Sequence, residues 1–428
     1  MEKFFRLHEN NTTIKKEILA GTVSFFTIVY IVVVNASILS DAGIPLEAGI
    51  IATVLTSIAG CLIMGFFGNT PIILVPGMGV NALFTYTIVM GMGLTWQEGL
   101  AVVFVSGILF TLIAFTKLSV IISESIPLSL KEAITVGIGF FLTFIGLQKG
   151  GIVVLNSDTF VALGDFSQPG VIVTLLTLLI TVGLFTRQVP GNFLISIFAG
   201  TILAACFGLL EVDFSTKPHE AFLVYKDVLF AMSFSRIVDL AFWTATFSLT
   251  MVIVFENIGL VFGQVHMINR PDRYKRSFQA NALSTITSGI FGSSPTVSTV
   301  ETAAGITAGG RTGLTSITTG LLFLSSLLFL PIIKIIPDSA IAPILILIGS
   351  LMIQNIQHID LHDFSESFPA FLIIALIPFT YSIVDGMAFG FIMYPILKVI
   401  LNRKDEVKPA LYIIALLFLF NFVFHTLH

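Results

Sequence analysis

Long runs without a charged side chain constrain this sequence more than any other feature. Between Glu17 and Asp41 there are 23 residues with no Asp, Glu, Lys or Arg, and between Glu47 and Glu98 there are 50. A helix that crosses a bilayer needs about 20 apolar residues, so the second gap holds two crossings. Further gaps run from Glu98 to Lys117, Glu132 to Lys149, Asp165 to Arg187, Arg187 to Glu211, and Asp239 to Glu256. Others lie between Arg276 and Glu301, Arg311 and Lys334, Asp338 and Asp360, and Glu366 and Asp385. Charged residues are 11% of the 428, against roughly 25% in a soluble domain. Hydrophobic residues are 55% and the mean hydropathy is +0.99. So few charges cannot cover the surface of a soluble protein this large. Disorder, collagen and a disulfide scaffold are excluded as well. The fold class is therefore an all-α polytopic membrane protein.

One span per stretch predicts about fourteen crossings. In the first half they are 17–39, 46–67, 71–91, 96–116, 130–148, 170–186 and 190–210. In the second half they are 236–262, 277–291, 295–311, 312–333, 340–357, 366–381 and 383–401. The apolar stretch 409–427 reads equally as an interfacial helix or a further span. Lys and Arg set the orientation. Lys3, Arg6, Lys15 and Lys16 precede the first span, and Arg187 follows six. Arg270, Arg273, Lys275 and Arg276 follow eight, and Arg403, Lys404 and Lys408 follow fourteen. All have even parity, which predicts a cytoplasmic N-terminus and places 211–235 outside. Met1 to Ala20 shows no short apolar core followed by a cleavage site, so no removable signal peptide is expected. Cys61 and Cys206 lie in apolar runs and are expected to be small buried hydrophobes. The net charge of −4 gives no basic surface for nucleic acid.

The chain repeats itself. Gly65-Phe66-Phe67-Gly68-Asn69-Thr70-Pro71 returns as Gly289-Ile290-Phe291-Gly292-Ser293-Ser294-Pro295, an offset of 224. Thr22-Val23-Ser24 meets Thr246-Phe247-Ser248 at the same offset. With seven spans in each half, the second half enters the membrane inverted, an architecture that places a transport site near the midplane at broken helices. After each motif the sequence predicts a short extended piece feeding a half-helix. The first runs Ile72-Ile73-Leu74-Val75 into Pro76-Gly77-Met78-Gly79-Val80-Asn81. The second runs Thr296-Val297-Ser298-Thr299-Val300 into Glu301. The two pieces are expected to pair, since irregular backbone in a bilayer must be buried in protein or line a cavity. Each half-helix would aim free N–H groups and a positive dipole end at that cavity.

Three polar residues stand out in these elements. Glu256 lies deep in the eighth span with no cation nearby in sequence, and an intramembrane carboxylate is a functional candidate by default. Glu301 opens the tenth half-helix, where it serves either as a cap or as a ligand, with the backbone of Thr299 and Val300 beside it. Asn81, on the matching half-helix, offers donors and acceptors together. Arg311 suits the end of the tenth half-helix, and Asp385 reads as a turn and helix cap. His358 and His362, with Asp360 and Asp363, read as a solvated loop and not as a metal site. Gly305 to Thr312 falls one residue short of a phosphate-binding loop, having Arg for Lys and no preceding soluble strand. No catalytic constellation or cofactor motif is found, so neither enzymatic chemistry nor a cofactor is expected.

The runs Glu17-Ile18-Leu19-Ala20-Gly21, Asn35, Ile38-Leu39-Ser40-Asp41-Ala42-Gly43, Pro76-Gly77-Met78-Gly79-Val80-Asn81, Val300-Glu301-Thr302-Ala303-Ala304-Gly305 and Gly309-Gly310-Arg311-Thr312-Gly313 resemble the nucleobase–cation symporter family. The branch is that of the adenine/guanine/hypoxanthine permeases. The resemblance implies a seven-plus-seven inverted repeat in the cell membrane. It implies a core domain from 1–116 and 236–335, and a gate domain from 117–235 and 336–428. It also implies proton-coupled purine uptake, usually by a homodimer. Asn81 matches the family's third-span asparagine and Glu301 its tenth-span glutamate. The eighth span departs: the family's Asp-Thr-x-Gly-Thr is here Glu256-Asn257-Ile258-Gly259-Leu260. The acid persists on a longer arm and both threonines are gone, which leaves the choice among purines open. Carboxylates would accept from the N–H groups of a purine, and amide or backbone groups would satisfy its other edges. Glu256, mid-helix and away from a helix dipole, is the expected proton carrier. The competing class is an anion transporter or channel on the same type of repeat, which would need cations and dipoles in place of two acids.

Overall fold

The computed structural model describes residues 2–119, 125–210 and 218–427. The first residues of the expected outer segment, 211–217, lie outside the described residues. Helices dominate. In the first half they are α1 (Ile14–Ile28), α2 (Ile31–Asp41), α3 (Leu46–Ile63), α4 (Met78–Ala82), α5 (Trp96–Phe115), α6 (Leu128–Lys149), α7 (Pro169–Thr186) and α8 (Asn192–Cys206). In the second half they are α9 (Leu240–Met267), α10 (Tyr274–Phe291), α11 (Thr302–Thr307), α12 (Gly313–Ser326), α13 (Asp338–Met352), α14 (Phe364–Thr380), α15 (Ile383–Ile400) and α16 (Pro409–Leu427). A surface hairpin pairs β2 (Val153–Asn156) with β3 (Phe160–Leu163). The other pair, β1 (Leu74–Pro76) with β4 (Thr296–Ser298), is fully buried.

Among the described residues nine helices are long and apolar enough to cross a membrane. They coincide with nine of the expected spans. Three more expectations, 71–91, 190–210 and 366–381, correspond to the shorter apolar helices Met78–Gly91, Asn192–Cys206 and Phe364–Thr380. The remaining two take another form. The expectation at 277–291 is α10, a helix too polar to face lipid: Ser277, Gln279, Asn281, Ser284, Thr285 and Ser288 are all buried on it. The expectation at 295–311 is a three-residue strand and the six-residue helix α11. Large apolar side chains such as Leu179, Ile202, Leu328, Phe379 and Leu416 are exposed, as on a lipid-facing surface. Cys61 is buried as expected, but Cys206, the last residue of α8, is exposed among the described residues.

Helices α1, α3, α5, α9, α10 and α12 pack largely on one another, while α6 packs against α13 and α14, α7 against α8 and α13, and α14 against α15. Small residues let the inner elements approach. A Cβ on Gly60 of α3 would stand 2.6 Å from Ser284 Oγ and 2.9 Å from the Leu74 carbonyl, so only Gly allows β1 and α10 this close. Each repeated motif contains a left-handed residue, Asn69 (φ 50°) in the first and Gly292 (φ 81°) in the second. Asn and Gly are the residues that adopt this conformation most readily. Asn69 then uses its side chain, accepting from the Gly313 N–H at 3.0 Å.

Candidate functional site

The two repeats meet at the buried strands. β1 and β4 run antiparallel with Leu74 opposite Ser298, Val75 opposite Val297 and Pro76 opposite Thr296. The Gly77 N–H extends the ladder to the Pro295 carbonyl at 3.2 Å. Helices α4 and α11 start directly beyond the strands, at Met78 and Thr302, again 224 residues apart. Pro76, Gly77, Met78 and Gly79 on one side, and Ser298 to Glu301 on the other, reach a cavity of about 1450 Å³. The exposed face of α9 closes it with Glu256, Gly259 and Leu260.

Four of the five residues singled out from sequence therefore share one cavity wall: Glu256, Thr299, Val300 and Glu301. Asn81 does not. It lies one turn into α4, fully buried, and does not line the cavity. The helix start itself reaches the cavity, and a side chain three residues further in falls behind the wall. Neither polar atom of its amide has a hydrogen-bond partner among the described residues. Glu256 is likewise reached by no hydrogen bond or ion pair among the described residues.

Glu301 does not cap its own helix. It occupies the N-cap position of α11 with αR backbone and makes no side-chain cap hydrogen bond. Its carboxylate instead accepts from the Tyr30 hydroxyl at 2.6 Å. Tyr30 sits at the interruption between α1 and α2. No Pro or Gly makes that break. The Thr27 hydroxyl returns to the Val23 and Ser24 carbonyls at 3.2 and 2.8 Å, a back-bond that loosens the helix ladder and bends it. The following N–H groups of Val32 and Val33 fold back to Val29 and Tyr30. Arg311 closes the end of α11 as expected, donating to the Ile306 and Gly310 carbonyls at 2.7 Å each.

A polar network behind the strands holds the wall in place. Asn257, adjacent to Glu256, accepts from the Ser298 N–H at 2.8 Å and is hydrogen-bonded to Asn281 of α10. Gln264, two turns further along α9, donates to the Thr299 carbonyl at 2.7 Å and accepts from Ser298 Oγ at 2.5 Å. Ser284 and Ser288 of α10 bind the Thr296 hydroxyl at 2.6 and 3.3 Å, and Ser288 Oγ also accepts from the Thr296 N–H. Buried polar groups must find partners. Here they find them in the strand edges that a two-stranded sheet leaves open. Sequence reasoning did not single out Tyr30, Gln264 or Asn281. A signal was present, because positions 277, 281, 284, 285 and 288 place polar residues on one stripe of an intramembrane helix.

Glu17, also unremarked, is fully buried and caps α12 from another helix. It accepts from the N–H groups of Arg311, Thr312 and Thr315 at 2.9 to 3.3 Å and from Thr315 Oγ1 at 2.6 Å. Its role is to satisfy the free donors of a helix start. Lys131, Glu132, Gln188, Gln354 and Gln357 form a polar mouth to the cavity.

The arrangement is that of a membrane transporter: a substrate-sized cavity at the meeting point of two repeats, with acids on its wall. The transmembrane domain of a cyanobacterium bicarbonate transporter, BicA, superposes with a TM-score of 0.67 at 15% identity, covering 87% of this chain and 97% of that one. SLC26A9 superposes equally well at 13% identity, over 91% of this chain and 66% of that one. These likenesses show a shared seven-plus-seven fold. The model of the permease family, Xan_ur_permease, matches residues 15–389, and the chain belongs to that family. Nucleobase transporter PlAzg2 of Paenibacillus larvae is 53% identical over 381 residues, 89% of this chain and 76% of that protein. Guanine/hypoxanthine permease PbuO of Bacillus subtilis is 37% identical over 97% of this chain and 98% of its own. Adenine permease AdeP of Escherichia coli is 34% identical over 100% and 97%.

Proposed function

We propose that this protein imports a purine nucleobase (adenine, guanine or hypoxanthine) across the cell membrane by proton symport. The observation that carries the reading is the pair of carboxylates, Glu256 and Glu301, facing one cavity beside the paired strands. An uncharged heterocycle presents ring N–H groups that carboxylates accept, while the backbone of Thr299 and Val300 meets its other edges. Two acids disfavour an anion, which would need cations or free dipoles there. The purine transport named for the relatives above supports the same class. Asn81, with both amide atoms unpartnered directly behind the wall, completes the polar set when substrate is bound.

The mechanism is alternating access across fourteen spans, with α4 and α11 as the half-helices that begin at the site. The core comprises 1–116 and 236–335, and the gate 117–235 and 336–428. The cavity mouth lies beside Gln188 and Arg187, on the side that carries the clustered cations, so this conformation opens to the cytoplasm, where the N-terminus also lies. Glu256 takes the coupled proton, because it lies mid-helix, away from the dipole at the start of α11, and no hydrogen bond or ion pair reaches it among the described residues. A homodimer is the expected assembly. Uptake of radiolabelled adenine, guanine and hypoxanthine, set against sulfate and bicarbonate in transport-deficient cells, tests the substrate. Purine uptake that a protonophore abolishes and sodium removal spares supports the reading. Anion uptake without purine uptake, or dependence on sodium alone, overturns it.

A further inference from the structure

Glu301 makes no side-chain cap hydrogen bond to the helix it begins, and its carboxylate takes a partner from outside its own repeat. One oxygen accepts from the Tyr30 hydroxyl at 2.6 Å. The Tyr30 ring is almost completely buried and meets Phe193 of α8 edge-on, with centroids 4.8 Å apart and planes at 63°. Phe193 in turn stacks on Phe185, at 6.3 Å and 21°. Tyr30, Phe185 and Phe193 all line the same cavity as Glu301. A hydroxyl set by a buried, laterally packed ring fixes the carboxylate more tightly than a flexible side chain or water would. A charge-assisted hydrogen bond of this length is also among the stronger kinds.

We infer that Tyr30 is the positioning residue for Glu301: its hydroxyl occupies one carboxylate oxygen and turns the other toward the edge of the bound base, so that Tyr30 sets which purine edge Glu301 reads. The inference rests on the proposed purine function. Two further features make Tyr30 suited to the task. It stands at the interruption between α1 and α2, where its hydroxyl can reach across to α11. Its ring also rests on α8, an element of the proposed gate, so the direction of Glu301 depends on how the gate packs against the site.

The test uses the full-length protein purified into nanodiscs. Binding of radiolabelled adenine, guanine and hypoxanthine is measured first on the wild type. The purine that binds is then competed with its N1-, N3-, N7- and N9-methyl derivatives. Glu301→Gln identifies the edge that Glu301 reads, as the methyl position at which discrimination relaxes. Tyr30→Phe keeps the ring and its contact with Phe193 but removes the donor. It should lower affinity about tenfold, the scale of one hydrogen bond to a charged group, and relax discrimination at the same methyl position as Glu301→Gln. In the Glu301→Gln background, Tyr30→Phe should cost about threefold or less, because the charged acceptor is already gone. Unchanged affinity, an equal loss for every derivative, or the same loss in both backgrounds overturns the positioning role while leaving the purine reading intact. A wild type that binds none of the three purines overturns both. Phe193→Leu serves as a second variant: it keeps the hydroxyl but frees the ring, and should relax the same methyl position more weakly. Discrimination left at wild-type levels by Phe193→Leu would remove the gate from the argument.

Discussion

At the end of the molecule away from the cavity mouth, one cation joins two acids. Lys149 Nζ at the end of α6 lies 2.9 Å from Asp41 and 3.3 Å from Asp338. Asp41 also accepts from the Tyr86 hydroxyl at 2.6 Å, and the Tyr86 ring meets Tyr381 edge-on at 5.6 Å. In the proposed division, Asp41 and Tyr86 belong to the core, and Lys149, Asp338 and Tyr381 to the gate. On the proposed alternating-access reading, the pair closes the outer entrance while the inner one is open. An exposed ion pair contributes about 0–1 kcal/mol, while removing one partner of a buried pair costs about 3–5 kcal/mol. The Lys149 side chain is 12% exposed and that of Asp41 29%, which places this pair between the limits, near about 1.5 kcal/mol. That corresponds to roughly a tenfold shift in population. Lys149→Met should move the equilibrium by this factor toward states open on that side. Ser37, buried and 3.4 Å from Lys149 Nζ, reports it once changed to Cys in a Cys206→Ser background, since Cys61 is buried. The rate at which a membrane-impermeant maleimide modifies Cys at position 37 in intact cells should rise about tenfold when Lys149→Met is added. An unchanged rate would refute the reasoning that this ion pair keeps the entrance shut.

Three further outcomes follow from the site. Gln at position 256 or 301 keeps shape but alters hydrogen bonding, so each should lower purine affinity about tenfold or more. Glu256→Gln, fixed in a form like the protonated acid, should still catalyse counterflow but fail to concentrate purine; wild-type accumulation would remove it as the proton carrier. A Cβ on Gly259 meets nothing within 4 Å because that face of α9 borders the cavity. Gly259→Ala should therefore raise thermal stability slightly, by up to about 1 kcal/mol of helix propensity, whereas Gly259→Phe should fill the cavity and abolish binding in a protein that still folds; binding retained by the Phe variant would place substrate elsewhere. Asn81→Ala should weaken purine binding, read by equilibrium binding in nanodiscs, without loss of membrane insertion, and unchanged affinity would reduce Asn81 to packing.

Much of this was legible in the residues because the bilayer is a severe solvent. Charge-free runs mark helices such as Leu46–Gly68 and Trp96–Phe115 to within one or two residues, since a single buried charge is costly there. The repeat offset of 224 marks the starts of both α4 and α11, because in each repeat a short buried strand leads into a half-helix. Two things were not legible. A charge-free run cannot tell a lipid-facing helix from one wrapped in protein, so the polar stripe by which α10 supports β4 was not read from it. Long-range partnerships leave no local trace either. Nothing near Glu301 points to Tyr30, 271 residues away, and nothing near Glu17 points to the start of α12. Asn81 shows the opposite failure, since its place on a half-helix says which element carries it but not which face it takes.

The shared fold and the different sites of these transporters bear on one another. At 13–15% identity to BicA and SLC26A9 the backbone is retained with TM-scores of 0.67, so the architecture cannot itself choose a substrate. What the fold supplies is a pair of half-helix starts, at α4 and α11, whose positive dipole ends favour negative charge or acceptor atoms. This chain sets acids against that preference: Glu301 at the start of α11 and Glu256 of α9, both lining the same cavity. A carboxylate near a helix start competes with an anion for the positive dipole end, and it accepts hydrogen bonds from a ligand that donates them. On the proposed purine reading, the choice of a neutral, N–H-bearing ring comes from these two side chains and not from the frame. If this is right, replacing both acids with Gln should not merely weaken purine binding but admit small anions. Chloride or bicarbonate binding to the Glu256→Gln, Glu301→Gln protein in nanodiscs, absent from the wild type, is the expected result. A double variant that binds neither purine nor anion, yet remains folded, would show that the frame contributes no anion preference of its own here.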